Sequence, residues 1–148
     1  MRLLDGVQRR ADGVELSDDP ARLDIGLIYE WLSAEAYWSL GRARDVVERA
    51  IAHSWNLGVY QDGRQIAFAR VVTDVATFGW LCDVFVHRDE RGRGIGQWLV
   101  RVVHETLHQV GVYRILLATN DAHEVYAREG FTPLVDPERW MERDTRGR

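Results

Sequence analysis

Apolar residues recur along this chain at two different periods, and each change of period marks a change of element. In residues 25–32, Ile25, Ile28, Tyr29 and Leu32 share one helical face, and in 44–52 Val46, Val47, Ala50 and Ile51 do the same. From residue 56 the pattern becomes that of strands. Residues 56–61 and 65–73 read as a hairpin joined by Asp62-Gly63, a dipeptide suited to the positive φ angles of a tight turn. Residues 77–87, rich in aromatic and β-branched side chains, read as a third strand. Helical spacing returns with Ile95, Trp98, Leu99, Val102, Val103, Leu107 and Val110, predicting a long amphipathic helix closed by Gly111. Residues 113–118 are an apolar run of strand length. Asp121 is expected to cap a further helix ending at Gly130, with Glu124 as its capping-box partner. Residues 131–135 and 140–143 are expected to form a last pair of strands; the first 23 residues carry only a weak strand signal. Mixed helices and strands, with a strand–loop–helix–strand unit in the middle, imply an α/β or α+β domain with a mixed sheet.

The chemistry concentrates where the third strand meets the long helix. The run Arg91-Gly92-Arg93-Gly94-Ile95-Gly96 gives up side chains just where a helix starts. Glycine permits positive φ and lets a ligand approach the backbone closely. The free N–H groups of a first helical turn, with the helix dipole, favour an anion such as phosphate. Arg91 and Arg93 would add charge at the rim, and a flexible turn is the plainer reading. No Gly-Lys-Ser/Thr follows, so this is not a Walker loop, and G-x-G-x-G is not the dinucleotide-binding spacing.

Bulk properties narrow the field. A chain of 148 residues is expected to form one domain, spanning residues 1–148. A net charge of −4 implies no bulk attraction to nucleic acid. The single cysteine, Cys82, allows no internal disulfide and no cysteine-built zinc site, which fits a reducing, cytoplasmic location. No apolar run reaches the length of a signal peptide or a membrane span, so no membrane association is expected. His104-Glu-Thr-Leu-His108 matches the H-E-x-x-H pattern of zinc hydrolases. Both histidines fall beside the apolar stripe, in a row with Gln97 and Arg101, and a third ligand is not obvious; no metal is expected.

Two blocks together resemble the GNAT-type N-acetyltransferases. One is the strand Trp80-Leu-Cys-Asp-Val-Phe-Val86, then four residues, then Arg91-x-x-Gly94-x-Gly96. The other is the run from Leu117 to Phe131, with a polar turn, a short helix bearing Tyr126 and a Gly-Phe close. The resemblance implies a mostly antiparallel central sheet of about six to seven strands flanked by about four helices. It implies acetyl-CoA as co-substrate, with its pyrophosphate on the N–H groups from Gly92 to Gln97, Ile95 and Gly96 among them. The pantetheine would pair with Val84, Phe85 and Val86 as an added strand. A backbone N–H near Val84 would polarise the thioester carbonyl. Tyr126 would be the general acid that protonates the departing thiolate, a transfer nearly balanced for ordinary thiol and phenol acidities; otherwise it is a core tyrosine. Asp83, expected to share a pleat face with Leu81 and Phe85, is a base, a substrate anchor or a structural acceptor. Some family members carry a glutamate base about three residues earlier on this strand, where this chain has Trp80. Asn120, next to Thr119, is the candidate for holding the pantetheine.

In this fold the acceptor site is shaped by the first two helices. That segment holds Tyr29, Trp31, Tyr37 and Trp38 beside Glu30 and Glu35, enough to hold a cationic amine or to pack the helices on the sheet. Arg42 is a carboxylate-recognising residue or a surface residue. His123 lies near the acceptor or on plain surface. The acceptor is an amine of unread identity, a small molecule or a protein amino group. The leading reading is acetyl transfer by direct attack on a primary amine. A non-catalytic acyl-CoA-binding module and a zinc hydrolase are its rivals, and a homodimer through the final strands is a further expectation.

Overall fold

The computed structural model describes residues 1–147. Its six strands are β1 (Gln8–Arg9), β2 (Glu15–Ser17), β3 (Trp55–Gln61), β4 (Arg64–Thr73), β5 (Gly79–Val86) and β6 (Ile115–Leu116). They form one sheet in sequence order, antiparallel throughout except for the parallel β5–β6 pair. Four α-helices complete it: α1 (Ile25–Glu30), α2 (Arg44–Ala52), α3 (Ile95–Gln109) and α4 (His123–Arg128). The expected mixed, mostly antiparallel architecture is the observed one.

Each boundary has a local cause. The Asp24 side chain accepts from the Leu27 N–H at 3.1 Å and starts α1, which runs on into a π-helical turn, Trp31–Glu35. Asp62 and Gly63 take φ of +50° and +77°, turning β3 back as β4. After α3, Gly111 adopts φ +92°; its N–H reaches the His108 carbonyl and that of Val112 the Leu107 carbonyl, a Schellman close.

Two apolar clusters sandwich the sheet. On one face α3 buries Ile95, Leu99, Val103 and Leu107 against Trp55, Leu57, Val71 and Leu81. On the other, Ile28, Trp31, Leu32, Val47 and Ile51 close over Phe68 and Phe85. Each fully buried large apolar side chain contributes roughly 1.5–3 kcal/mol.

β5 changes faces midway. Arg70 pairs with Cys82 and Phe68 with Phe85, so three steps on β5 match two on β4. The extra residue is accommodated at Asp83, whose φ is +53°. Leu81 therefore joins the α3 cluster while Phe85 joins the α1–α2 cluster. The expectation that Leu81, Asp83 and Phe85 share a pleat face is corrected by this bulge.

Other expectations change as well. Asp121 does not cap α4: Thr119 Oγ1 accepts from the N–H groups of Asp121 and Ala122 at 3.4 and 3.0 Å in the turn ahead of the helix, and Ala122 at its start supplies no side-chain cap. Residues 131–135 and 140–143 form no strands among the described residues. Pro133 and Pro137 lack the N–H that a ladder needs, and Pro137–Arg139 make a single 3-10 turn. β6 is thus the last strand of the sheet, and the pair expected to offer a dimer edge is not formed. The β1–β2 hairpin is too short to show a period in the sequence.

Candidate functional site

The glycine loop lies where β5 gives way to α3. Gly92 and Gly94 hold φ of +81° and +74°, a region that L side chains enter only at a cost. Gly94 precedes the first turn of α3 and provides no side-chain cap. The Trp98 N–H returns to the Gly94 carbonyl at 3.0 Å. The N–H groups of Ile95, Gly96 and Gln97, ahead of it, have no acceptor within the helix and carry its partial positive charge. A Cβ on Gly94 would meet nothing within 4 Å, whereas one on Gly96 would sit 3.5 Å from Val86 Cγ2, so α3 lies close on β5. This is a cradle of backbone donors, an arrangement that suits an anion.

The two loop arginines divide. Arg91 is exposed; its Nε donates to the Val86 carbonyl at 3.0 Å and its guanidinium lies over the Phe85 ring. Arg93, expected at the anion rim, is instead a clamp: it pairs with Glu90 and Asp12 and donates to Gln61 Oε1 at 2.8 Å. The β1–β2 hairpin brings Asp12 there, and its charge is neutralised. Ile95 is buried and Gln97 turns its amide to Glu129, so both offer the loop only their N–H groups.

Beyond Trp80, β5 has no β6 partner: the parallel register is Gly79 with Ile115 and Trp80 with Leu116. The strands splay, and the free edge of β5 leads to the cradle. The His87 N–H bonds the Ile66 carbonyl, so strand alternation turns the peptide groups of Val86 and Val84 to the open side and those of Phe85 toward β4. Phe85 is therefore removed from the expected coenzyme contacts; its ring is buried and stacks on Trp31 with centroids 5.2 Å apart.

Asp83 is the best-held polar group of the region. Its side chain is 1% exposed. It accepts from Arg70 Nε at 2.8 Å, Arg42 Nη1 at 2.9 Å and Trp38 Nε1 at 2.9 Å. Burial alone would raise its pKa; Arg70 and Arg42 outweigh that and hold the carboxyl below the usual range. A carboxylate so satisfied has little affinity for a proton, which corrects the reading of Asp83 as a general base. Cys82, beside it, is pushed up to about 11 by burial and is no nucleophile at neutral pH.

Tyr126 stands on α4, half-buried, with its ring edge-on to Phe131. Burial, then the nearby Tyr37 and Asp121, push its phenol up to about 12. The expectation of a nearly balanced proton transfer to a thiolate is corrected by that burial. Tyr37 Oη accepts from the Asn120 N–H at 3.1 Å, and Tyr37 packs edge-on against Trp38 with centroids 5.1 Å apart. Tyr37 and Trp38 are 45% and 40% exposed. The structure thus brings Tyr126, Tyr37, Trp38, Asn120 and Asp83 to one mouth. Trp31, 2% exposed, is core and not a substrate contact. Tyr29 is half-buried against the same cluster, with Arg44 over its ring. His123 is exposed at the start of α4.

The H-E-x-x-H residues have other partners. His104 Nε2 lies 3.5 Å from Glu129 Oε1, and His108 packs on Tyr113. Among the described residues no group of three His, Cys, Asp or Glu is placed to hold a metal ion. Arg70 and Ser54 were missed by sequence reasoning; the signal for Arg70 was a lone charge inside the apolar run of β4.

The model of the acetyltransferase (GNAT) domain matches residues 53–133, more than half of the chain. A crystal structure from Xanthomonas campestris pv. campestris, described as a GNAT-family acetyltransferase, superposes with a TM-score of 0.83. It is 48% identical, over 89% of this chain and 93% of that one. A protein of Gibberella zeae named as an acetyltransferase is 26% identical over 133 residues, 76% of this chain and 75% of its own length. The N-acetylglutamate synthase of Neisseria gonorrhoeae, in complex with coenzyme A and N-acetyl-glutamate, shares the fold. Its TM-score is 0.68 at 20% identity, over 84% of this chain and 30% of that one.

Proposed function

The chain belongs to the GNAT acetyltransferase family, and from that premise we propose that it moves an acetyl group from acetyl-CoA to a primary amine. The observation that carries this is the free edge of β5 leading into the uncapped, glycine-led N-terminus of α3. An extended pantetheine arm matches the edge and a pyrophosphate matches the cradle. Acetyl-CoA supplies the acyl group as a thioester, taken directly by the acceptor amine. The Val84 N–H, on the open side of β5, donates to the thioester carbonyl oxygen and stabilises the charge that grows there. Tyr126 keeps its proton throughout the neutral range and offers it to the departing sulfur. A raised phenol is the weaker acid, so its service is a hydrogen bond to the developing thiolate, which takes its final proton from water. Asp83 is held by its two arginines and is not the base, and the ammonium of the acceptor loses its proton to water. Cys82 forms no acyl-enzyme.

Calorimetric titration with acetyl-CoA and CoA, then thiol release across an amine panel, tests the reading. Micromolar binding and release with one class of amine are expected. Binding without release from any amine would leave a coenzyme-binding module, and no binding by the folded protein would end the proposal. Gly94→Val is expected to weaken acetyl-CoA binding at least about tenfold, equivalent to about 1.4 kcal/mol. The free protein leaves space for the added side chain, so beyond the backbone strain of valine at φ +74° the clash falls on the ligand. A folded Gly94→Val protein with undiminished affinity would detach the loop from the pyrophosphate.

A further inference from the structure

Around Asp83 the charges do not balance. Two guanidiniums, Arg42 and Arg70, share one carboxylate. Among the described residues, the only other side-chain acceptor that Arg70 meets is the neutral Ser54 Oγ, at 3.1 Å. Arg42 spends Nη1 on Asp83, and its side chain stays 22% exposed. Glu30 and Glu35, the acids of the neighbouring α1 segment, are exposed and pair with neither arginine among the described residues. One positive charge is left over, anchored by a buried carboxylate and presenting an unused edge of a planar fork.

That charge sits beside the chemistry. Asp83 directly precedes Val84, the proposed carbonyl-polarising residue. Trp38 bonds Asp83 and packs on Tyr37, which is close enough to Tyr126 to raise its pKa. The bulge at Asp83 turns the group to the α1–α2 face, away from the α3 cradle, so the coenzyme phosphates do not neutralise it. A polycationic acceptor would be repelled here. A fork with free donors binds carboxylate or phosphate bidentately.

Resting on the acetyltransferase reading, we propose that the acceptor is an amine that also carries an anionic group, held by Arg42 with Arg70 behind it. Asp83 is then a positioning residue, and the exposed rings of Tyr37 and Trp38 flank the acceptor's body. The shared chemistry covers two sources, amino acids and phosphorylated amines.

Thiol-release rates on matched pairs test it: amino acids against their amides, an amino sugar phosphate against the free amino sugar, and a polyamine. The anionic member is expected to show a KM at least about tenfold lower, about 1.4 kcal/mol. Which pair responds separates carboxylate from phosphate. Arg42→Ala should raise that KM and erase the preference, with acetyl-CoA affinity unchanged by calorimetry. Arg42→Lys, which keeps the charge without the fork, should restore part of it. Equal use of neutral and anionic members, or a polyamine preferred, would overturn the proposal while leaving the acetyltransferase reading intact. Absence of acetyl-CoA binding would instead strike that reading. One readout needs no turnover. The Trp38 indole N–H resonance should shift on titration with N-acetylglycine or inorganic phosphate but not with N-acetylglycinamide, and Arg42→Ala should abolish the shift. No shift with either anion would overturn the proposal even if no amine in the panel reacts.

Discussion

Tyr126→Phe is expected to lower turnover by roughly a hundred- to ten-thousand-fold, the range for loss of a positioned general acid, while leaving acetyl-CoA affinity unchanged. The ring stays, so its packing on Phe131 is kept and the fold is undisturbed. Only the hydroxyl is lost, and the departing sulfur then leaves without its donor. Because burial pushes the phenol up to about 12, Tyr126 stays protonated in both neutral and moderately alkaline buffer. The wild-type rate should therefore rise with pH as the acceptor ammonium deprotonates, with no decline from Tyr126 below roughly pH 11. Steady-state rates over that range, for both proteins, check this. Equal turnover by Tyr126→Phe would remove Tyr126 from the reaction.

Asp83→Ala is expected to cost roughly 3–5 kcal/mol of stability, the usual effect of removing one partner from a buried ion pair. It leaves Arg42 and Arg70 facing each other without their counter-charge and strips Trp38 Nε1 of its acceptor. Asp83 also holds φ +53°, where alanine is strained and asparagine is tolerated. Asp83→Asn should thus lose the charge but keep the bulge and fall between wild type and Asp83→Ala. Denaturant melts followed by tryptophan fluorescence measure the order of the three. The pH dependence has a definite sign. The folded carboxyl titrates below its unfolded value, so its stabilisation is full above about pH 4 and is lost as pH falls through the folded pKa. Asp83→Asn should flatten that acid limb; an unchanged limb would show that Asp83 carries none of it.

The sequence made α2, the β3–β4 hairpin and α3 legible because each has a strong period and a local stop. Val47 and Ile51 mark the buried face of α2, Asp62-Gly63 turns the hairpin, and Gly111 ends α3. The glycine loop was legible for the same local reason: only backbone can supply what Gly92 and Gly94 supply. The last strands were misread because residues 131–135 look apolar, while Pro133 and Pro137 remove the donors that pairing needs.

By itself, then, the sequence determined the alternation of elements, the family resemblance, the glycine-led helix start proposed to hold the pyrophosphate and the candidate acid, all features written within a few neighbouring residues. Tertiary structure alone decided which aromatics are exposed and which fill the core, separating Tyr37 and Trp38 from the buried Trp31, with Tyr29 half-buried against the core. It also decided the fate of Asp83. That carboxylate is 13 residues from Arg70 and 41 from Arg42 along the chain. A single bulged residue turns it onto the face where they meet. A lone acid in a strand carries no local sign of such partners, since charge pairing depends on distance through space, which chain folding sets.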